Sequence, residues 1–399
     1  MYDMSGFSYD IRDVVRILNL KIRHTHSNSY DVDCPFCGDS KGKMNVHIGR
    51  NVFRCNRCDT SGGMLDLYAK LYCISTSEAN RQIREAMNLG MNRDDYEWTA
   101  KKVESSTVEN SELASADEIH CTYSGLLSML ILSKKHQEDL LARGLTAEQI
   151  EEQGYRSTPV FGYKSMVRKL LSKGCTVQGV PGFYQDEEEN WTMNFKSKYS
   201  GILIPYRNLE GKIQGFQIRL DRVSDAMKYI WFSSVNQNKG VSSGSPVHVI
   251  GDFYADKVFV TEGALKGTIA HYLSGDTFVC VAGVNQYRNL KPVLEVLKQW
   301  NLKWVQETYD MDKKMKVNCD GHYHKCKVCS IIGKPAICPY KEEKRKIIQN
   351  GCRKLYEICG SLNLTAERMV WDMDENGDWN GVKKGIDDLY YENMQRGIQ

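Results

Sequence analysis

Four cysteines set the first constraint on this chain. Cys34-Pro-Phe-Cys37 and Cys55-Asn-Arg-Cys58 give the spacing C-x2-C-x17-C-x2-C. Each pair aims two thiolates at one point, and a β-ribbon between the pairs folds the four sulfurs into a tetrahedral set that suits Zn2+. A redox role for either pair alone leaves the other pair unexplained. With all four positions filled by protein, the metal is expected to be structural rather than hydrolytic.

Overall charge says little about partners, because 53 basic residues nearly balance 50 acidic ones. Local charge says more. Lys41, Lys43, Arg50, Arg54 and Arg57 stand against one acid, Asp39, within the ribbon, and Phe36, His47 and Phe53 are interleaved among them. Cations with aromatic rings fit the backbone and bases of a single-stranded nucleic acid.

A chain of 399 residues predicts two or three domains. The segment 95–118 carries seven acids against two lysines and no periodic apolar pattern, the composition of a linker. Before it, residues 63–89 read as a helix. After it, residues 123–153 read as short helices, with Ser133 before one and a Thr146/Gln149 capping box before another. GILIPYR and KIQGFQIRL flank a turn at residues 208–211 and read as a hairpin. From Lys257 the text alternates strand and helix, which argues for a parallel sheet. No apolar run approaches the length of a membrane span, and the N-terminus lacks an export signal. A cytoplasmic protein is expected.

VFVTEG puts Glu262 at the end of a buried strand, and VQETYDMD puts Asp310 and Asp312 at the end of a later one, where the two-residue period turns both carboxylates to one side. Strand ends of a parallel sheet open on one crevice, so the three carboxylates are expected to meet there. Such a set needs a cation, and hard oxygen donors suit Mg2+ or Mn2+.

The ribbon followed by Gly62-Gly63, the hairpin, TEG and DMD together resemble the DnaG-type bacterial and phage primases. That resemblance implies an α+β multidomain chain. A zinc ribbon occupies 1–94 and an acidic linker 95–118. Residues 119–250 form a mixed α/β basic part of the catalytic core, and 251–399 an α/β Toprim domain with a Rossmann-like parallel sheet. It implies a DNA primase, a nucleotidyltransferase making short RNA on single-stranded DNA from ribonucleoside triphosphates, with a replicative helicase on a separate chain. It carries over Arg207, Arg219, Lys228, Tyr229 and Lys239 as template and nucleotide contacts. Asp387 and Asp388 follow from KKGIDDL as further metal ligands beside Glu262, Asp310 and Asp312. Residues 196–239 hold eight basic against three acidic side chains, which agrees.

The chain departs from the family at three places. Cys37 stands where His is common, Lys266 where an Asp is common four residues past the glutamate, and residues 313–345 look inserted. No P-loop is present in the sequence. Cys319, Cys326, Cys329 and Cys338, with His322 and His324, are open to two readings, a second zinc site or a basic loop that binds nothing. The run from Asp372 imitates a calcium loop, but Lys383 stands where a bidentate Glu is required, so Asp372 and Asp374 are expected to end another strand. Cysteines 73, 121, 175, 280, 352 and 359 read as packing residues. The rival functions are a Toprim nuclease and a non-catalytic replication accessory, the latter favoured by Lys266.

Overall fold

The computed structural model describes residues 9–72, 76–88, 111–196, 199–224, 227–235, 237–318 and 337–397. The chain divides into two units, Met1–Thr107 and Val108–Gln399.

In the first unit, α1 (Ile11–Ile17) starts at an Asp10/Asp13 capping box. Five antiparallel strands follow in sheet order β1 (Ile22–Thr25), β2 (Ser29–Cys34), β3 (Asp39–His47), β4 (Val52–Cys55) and β5 (Ser61–Gly63). Met44 and Val46 are buried while Lys43, Asn45 and His47 are not, the alternation of a one-sided sheet. Two helices, α2 (Met64–Tyr72) and α3 (Thr76–Asn88), replace the single helix expected over 63–89. Gly63 closes β5 instead of opening a helix.

The second unit opens with α4 (Ala116–Leu127), whose Ser115/Glu118 capping box lies inside the segment expected to be linker. Residues 116–118 are therefore helix, and residues 95–110 lie outside the described residues. A cap carries acids in its first turn for its own reasons, so an acidic composition alone overran the boundary. Helices α5 (Lys134–Leu141), capped by Ser133, and α6 (Ala147–Gln153), opened by the Thr146/Gln149 box, follow as expected.

Strand β6 (Arg156–Ser157), α7 (Tyr163–Ser172) and the hairpin β7 (Phe183–Gln185) with β8 (Trp191–Met193) precede the basic hairpin. That hairpin is β9 (Gly201–Arg207) and β10 (Ile213–Ser224), and β11 (Met227–Trp231) extends it into a sheet ordered β11-β10-β9-β6.

The second sheet runs β12-β14-β13-β15-β16, from β12 (His248–Ile250), β13 (Lys257–Glu262), β14 (Phe278–Val281), β15 (Trp304–Glu307) and β16 (Thr365–Arg368). All pairs are parallel except β12 with β14. Val258, Val260, Val279 and Val281 share a core with α9 (Leu290–Trp300) and α10 (Pro339–Ser361). Phe259, Phe278 and Cys280 pack on the opposite face with α8 (Ala264–Ser274) and α11 (Ile386–Gln395). Helix α8 lies so close to β14 that a Cβ on Gly267 would fall 2.1 Å from the Cys280 sulfur.

The boundary expected at 250/251 does not separate domains. Strand β12 belongs to the parallel sheet, and Leu140, Ile150, Ile202 and Tyr206 share one apolar cluster with Ala264, Leu265 and Ile269 of α8. The expected insertion also narrows. Lys313 is wholly buried, and residues from Pro339 onward belong to α10. Among the described residues no helix is long and apolar enough to cross a membrane.

Candidate functional site

Two clusters of side chains stand out, four cysteines in the first unit and a group of carboxylates in the second. In the first, Cys34 ends β2, Cys55 ends β4, and the turns after them bring in Cys37 and Cys58. The sulfurs of Cys34 and Cys58 are 3.8 Å apart, as are those of Cys37 and Cys55, and all four lie within 4.8 Å of one another. Tetrahedral Zn–S bonds of about 2.3 Å place sulfurs about 3.8 Å apart, so the donors fit zinc. The Arg57 backbone N–H donates to the Cys55 sulfur at 3.3 Å, and the Thr60 hydroxyl lies 3.2 Å from Cys58, contacts that orient ligands from outside the metal shell. Hydrogen bonding with Cys37 pushes the Cys34 thiol up, whereas hydrogen bonding with Cys34 pulls Cys58 down. Four crowded sulfurs, three of them on buried cysteines, gain by exchanging their protons for a cation.

The ribbon surface is narrower than the charge count implied. Phe53 is buried and stacks on Phe36 at 5.7 Å, so Phe53 belongs to the core. Arg54 pairs with Asp59 at 2.8 Å, and Asp39 is spent on the backbone N–H groups of Lys41 and Lys43. Lys41 and Arg50 are exposed, with Lys43, His47 and Phe36 half-buried beside them.

In the second unit, Glu262 ends β13 and Gly263 turns the chain into α8. Gly263 adopts φ 83°, a left-handed conformation that favours glycine, and donates its N–H to the Val281 carbonyl at 2.6 Å. Asp310 and Asp312 are not on a strand. Strand β15 stops at Glu307, and Asp310 leads into a 3₁₀ turn at Met311–Lys314 that turns both aspartates inward, where they are buried. The reason lies in Lys313. Its ammonium reaches back to Glu307 at 2.6 Å and to the Met369 carbonyl at 2.9 Å, and Arg368 holds the other Glu307 oxygen at 2.7 Å. This buried pair folds the turn against the strand.

The three carboxylates share one neighbourhood, but their oxygens do not gather into a common ligand shell. Among the described residues, only the four cysteines place three or more donor atoms within 4.8 Å of one another. Ammonium groups intervene. Lys266 pairs with Asp310, Lys384 bridges Asp310 at 3.1 Å and Asp312 at 3.0 Å, and Lys344 reaches Asp312 at 3.2 Å. Burial, together with the charge of Asp310, pushes the Glu262 carboxyl up to about 7. Burial raises Asp312 too, but Lys384 and Lys344 outweigh it and hold that carboxyl below the usual range. Lys384 is pushed up to about 12, the two aspartates outweighing its burial. Asp387, at the start of α11, is pushed up to about 6 chiefly by burial, and its Oδ1 is buried with no hydrogen-bond partner. Asp388 instead caps α11, accepting the Gly385 N–H at 3.1 Å.

An all-oxygen donor set with one orphaned carboxylate oxygen fits a hard divalent cation such as Mg2+ or Mn2+. Lys384 and Lys344 can make way for it, because their side chains are 48% and 42% exposed.

A basic face adjoins these acids. Arg219 of β10 lies directly across the sheet from Tyr229 of β11. Lys228 is depressed below the ordinary lysine range by burial and then by the charges of Arg219, Arg143, Lys266 and Lys384. Arg143 was missed in the sequence. It follows α5 outside any motif, yet it pairs with Asp139 at 3.5 Å beside Arg219, and the Nε atoms of both arginines are buried without a hydrogen bond. Lys344 and Lys384 were missed too, since each pairs with aspartates far away in the chain. Only a basic residue next to an acidic motif hinted at Lys384.

Arg207 does not join this face. Its guanidinium donates to the Gly211 carbonyl at 3.1 Å and the Gln153 carbonyl at 3.4 Å, tying the hairpin turn to α6. Lys239 contributes its carbonyl, which accepts from the Ser111 hydroxyl at 2.8 Å, in a left-handed turn with φ 55°. Of the second cysteine group, Cys338 is buried at the start of α10, and Cys319, Cys326 and Cys329 lie outside the described residues, as does Cys73. Cys175, Cys280, Cys352 and Cys359 are buried, but Cys121 is exposed. In the calcium-like run, Lys383 pairs with Asp372 at 2.9 Å and Lys316 with Asp374 at 2.6 Å, so lysines neutralise these acids.

Residues 5–98 match the family model of the CHC2 zinc finger. A DNA primase of Enterococcus faecalis is 23% identical over 202 residues, which are 48% of this chain and 31% of that protein. The chain thus spans about a third of that relative's length. Among solved structures, the zinc-binding and RNA polymerase domains of Aquifex aeolicus primase align at 14% identity and TM-score 0.46, over 98% of this chain and 85% of that one. The RNA polymerase domain of Mycobacterium tuberculosis primase DnaG, solved with a DNA oligomer bearing a 6-nucleotide overhang, aligns at 16% identity and TM-score 0.39, over 61% and 81%.

Proposed function

We propose that this chain is a DNA primase, synthesising short RNA on a single-stranded DNA template. One observation carries the reading. In a chain that carries a CHC2-type zinc ribbon, the carboxylates of Glu262, Asp310 and Asp312 adjoin a basic face of Arg143, Arg219 and Lys228 within one folded unit.

The basic face receives the phosphates of template and incoming ribonucleotide, with Arg143 and Arg219 both standing against Asp139 and Lys228 beside them. Tyr229, paired with Arg219 across the sheet, supplies a rigid wall beside them. Asp310 and Asp312, fixed by the Lys313–Glu307 pair, hold their oxygens still while the substrate is oriented. A Mg2+ or Mn2+ ion held by Glu262, Asp310 and Asp312, with Asp387 beside them, would stabilise charge developing on the transferred phosphorus. Lys384 and Lys344, released from the aspartates, are long enough to follow the departing diphosphate. The ribbon contacts unpaired template bases through Lys41, Lys43 and Arg50. A replicative helicase on another chain and a cytoplasmic setting complete the reading.

The test is incubation of the full chain with single-stranded DNA, ribonucleotides and Mg2+ or Mn2+, beside Asp310→Ala/Asp312→Ala. Oligoribonucleotides that vanish in the variant support primase. Cleavage of the DNA supports a nuclease, and binding without either product overturns both enzymatic readings.

A further inference from the structure

We propose that the ammonium of Lys266 is a resident cation of the carboxylate site and takes the place of one divalent ion, so that the site loads a single Mg2+ or Mn2+. The inference rests on the reading of Glu262, Asp310 and Asp312 as the metal-binding acids.

Lys266 lies in the first turn of α8, just past the end of β13 where Glu262 stands, and the two side chains are charged neighbours. Its Nζ donates to Asp310 Oδ1, and Glu262 and Asp387 are its other charged neighbours. Three carboxylates therefore surround one ammonium, and its Nζ already occupies one oxygen of Asp310.

The three lysines of the site are not equivalent. The side chain of Lys266 is 22% exposed, against 48% for Lys384 and 42% for Lys344. The latter two can swing into solvent at little cost, whereas departure of Lys266 as well would leave the buried Asp310 without either of its ammonium partners. Asp387 Oδ1 already lies buried and unpartnered, so the site holds acceptor capacity that its own donors do not satisfy. With Lys384 and Lys344 withdrawn, Glu262, Asp310, Asp312 and Asp387 face one fixed positive charge. One divalent ion leaves that set with a residual negative charge, whereas a second would carry it past neutrality to a net positive one. A second would sit beside the ammonium and be repelled by it.

The test counts Mn2+ on the full-length, zinc-loaded chain by electron paramagnetic resonance of the free ion, without nucleotide or DNA. Wild type is expected to bind one ion that is lost in Asp310→Ala/Asp312→Ala. Lys266→Met, which keeps the shape and removes the charge, should bind about tenfold more tightly. Lys266→Asp should bind two ions. The proposal is overturned if wild type binds none, if it binds two ions that both disappear in the double alanine variant, or if Lys266→Met binds no more tightly. Should Lys266→Asp fail to fold, Lys266→Met decides. A chain that binds one ion and responds to Lys266→Met but makes no primer sinks the primase reading alone. A chain that primes yet binds two ions sinks this inference alone.

Discussion

The cysteine cluster and the carboxylate cluster proposed to hold a divalent ion are built on opposite terms. Around Cys34, Cys37, Cys55 and Cys58 the protein supplies sulfur at the spacing of a tetrahedron, and the neighbouring Arg57 guanidinium donates to the Cys37 carbonyl. Around Glu262, Asp310 and Asp312 it supplies oxygen and three ammonium groups as well. The first set is completed only by an ion, so its metal is part of its folding. The second is nearly neutral by itself, so its ion can come and go with substrate. A structural site and a working site differ here less in donor chemistry than in whether the protein has already balanced the charge.

The harshest test of that contrast is zinc removal. Zinc binding to small metal-built folds is worth about 10–16 kcal/mol at neutral pH. Chelation or Cys37→Ser should therefore abolish the cooperative melting of the first unit and leave that of the second intact, read by circular dichroism and amide exchange. Loss of both transitions would break the comparison. Next, Asp310→Ala/Asp312→Ala should lower primer synthesis by roughly a thousandfold, about 4 kcal/mol of transition-state stabilisation, without changing zinc content. Breaking the buried pair should follow closely. Glu307→Gln leaves Lys313 buried without its counter-charge and should cost about 3–5 kcal/mol in denaturant unfolding, whereas Glu307→Leu/Lys313→Met together should cost less.

The smallest effect sharpens the contrast through pH. His248, fully buried on β12, accepts the Arg207 N–H on Nδ1 at 3.0 Å, and burial depresses its imidazole to about 3. A depressed histidine lets the unfolded chain bind the proton first. Its contribution is complete above the ordinary histidine value near 6.5 and falls by about 1.4 kcal/mol per unit as pH drops from there toward 3. Unfolding of the second unit followed from pH 7 to pH 4 should show that slope, and His248→Gln should flatten it. An unchanged slope would assign the acid sensitivity to another group.

What the sequence disclosed divides along the same line. Ligand spacing in the ribbon, the Thr146/Gln149 cap, the Glu262-Gly263 turn and the alternation of valines are local patterns, fixed by neighbours in the chain. Pairings across long separations left no such mark. Nothing beside Asp310 announces Lys384, and nothing beside Arg219 announces Arg143, because those meetings are made by the packing of α8, α11 and the basic sheet. The strand expected through Asp310 failed for a related reason. Extended periodicity continued in the text, but Lys313 curled back to Glu307, six residues earlier, in a pair clamped by the distant Met369 carbonyl and Arg368. Phe53 and Arg207 show the converse error, residue types suited to nucleic acid but used by the fold for packing and carbonyl capping.

One feature of the fold bears on what can occupy the crevice. The apolar cluster that joins Ile202, Ile204 and Tyr206 to Leu265 and Ile269 makes the basic sheet and the carboxylate helix parts of one solid body. The span from Arg219 to Asp310 is consequently set when the chain folds, not drawn in when a ligand arrives. It works as a fixed gauge. A molecule whose anionic tail and reacting end match that length touches both ends at once, and a shorter or longer one must give up one grip to keep the other.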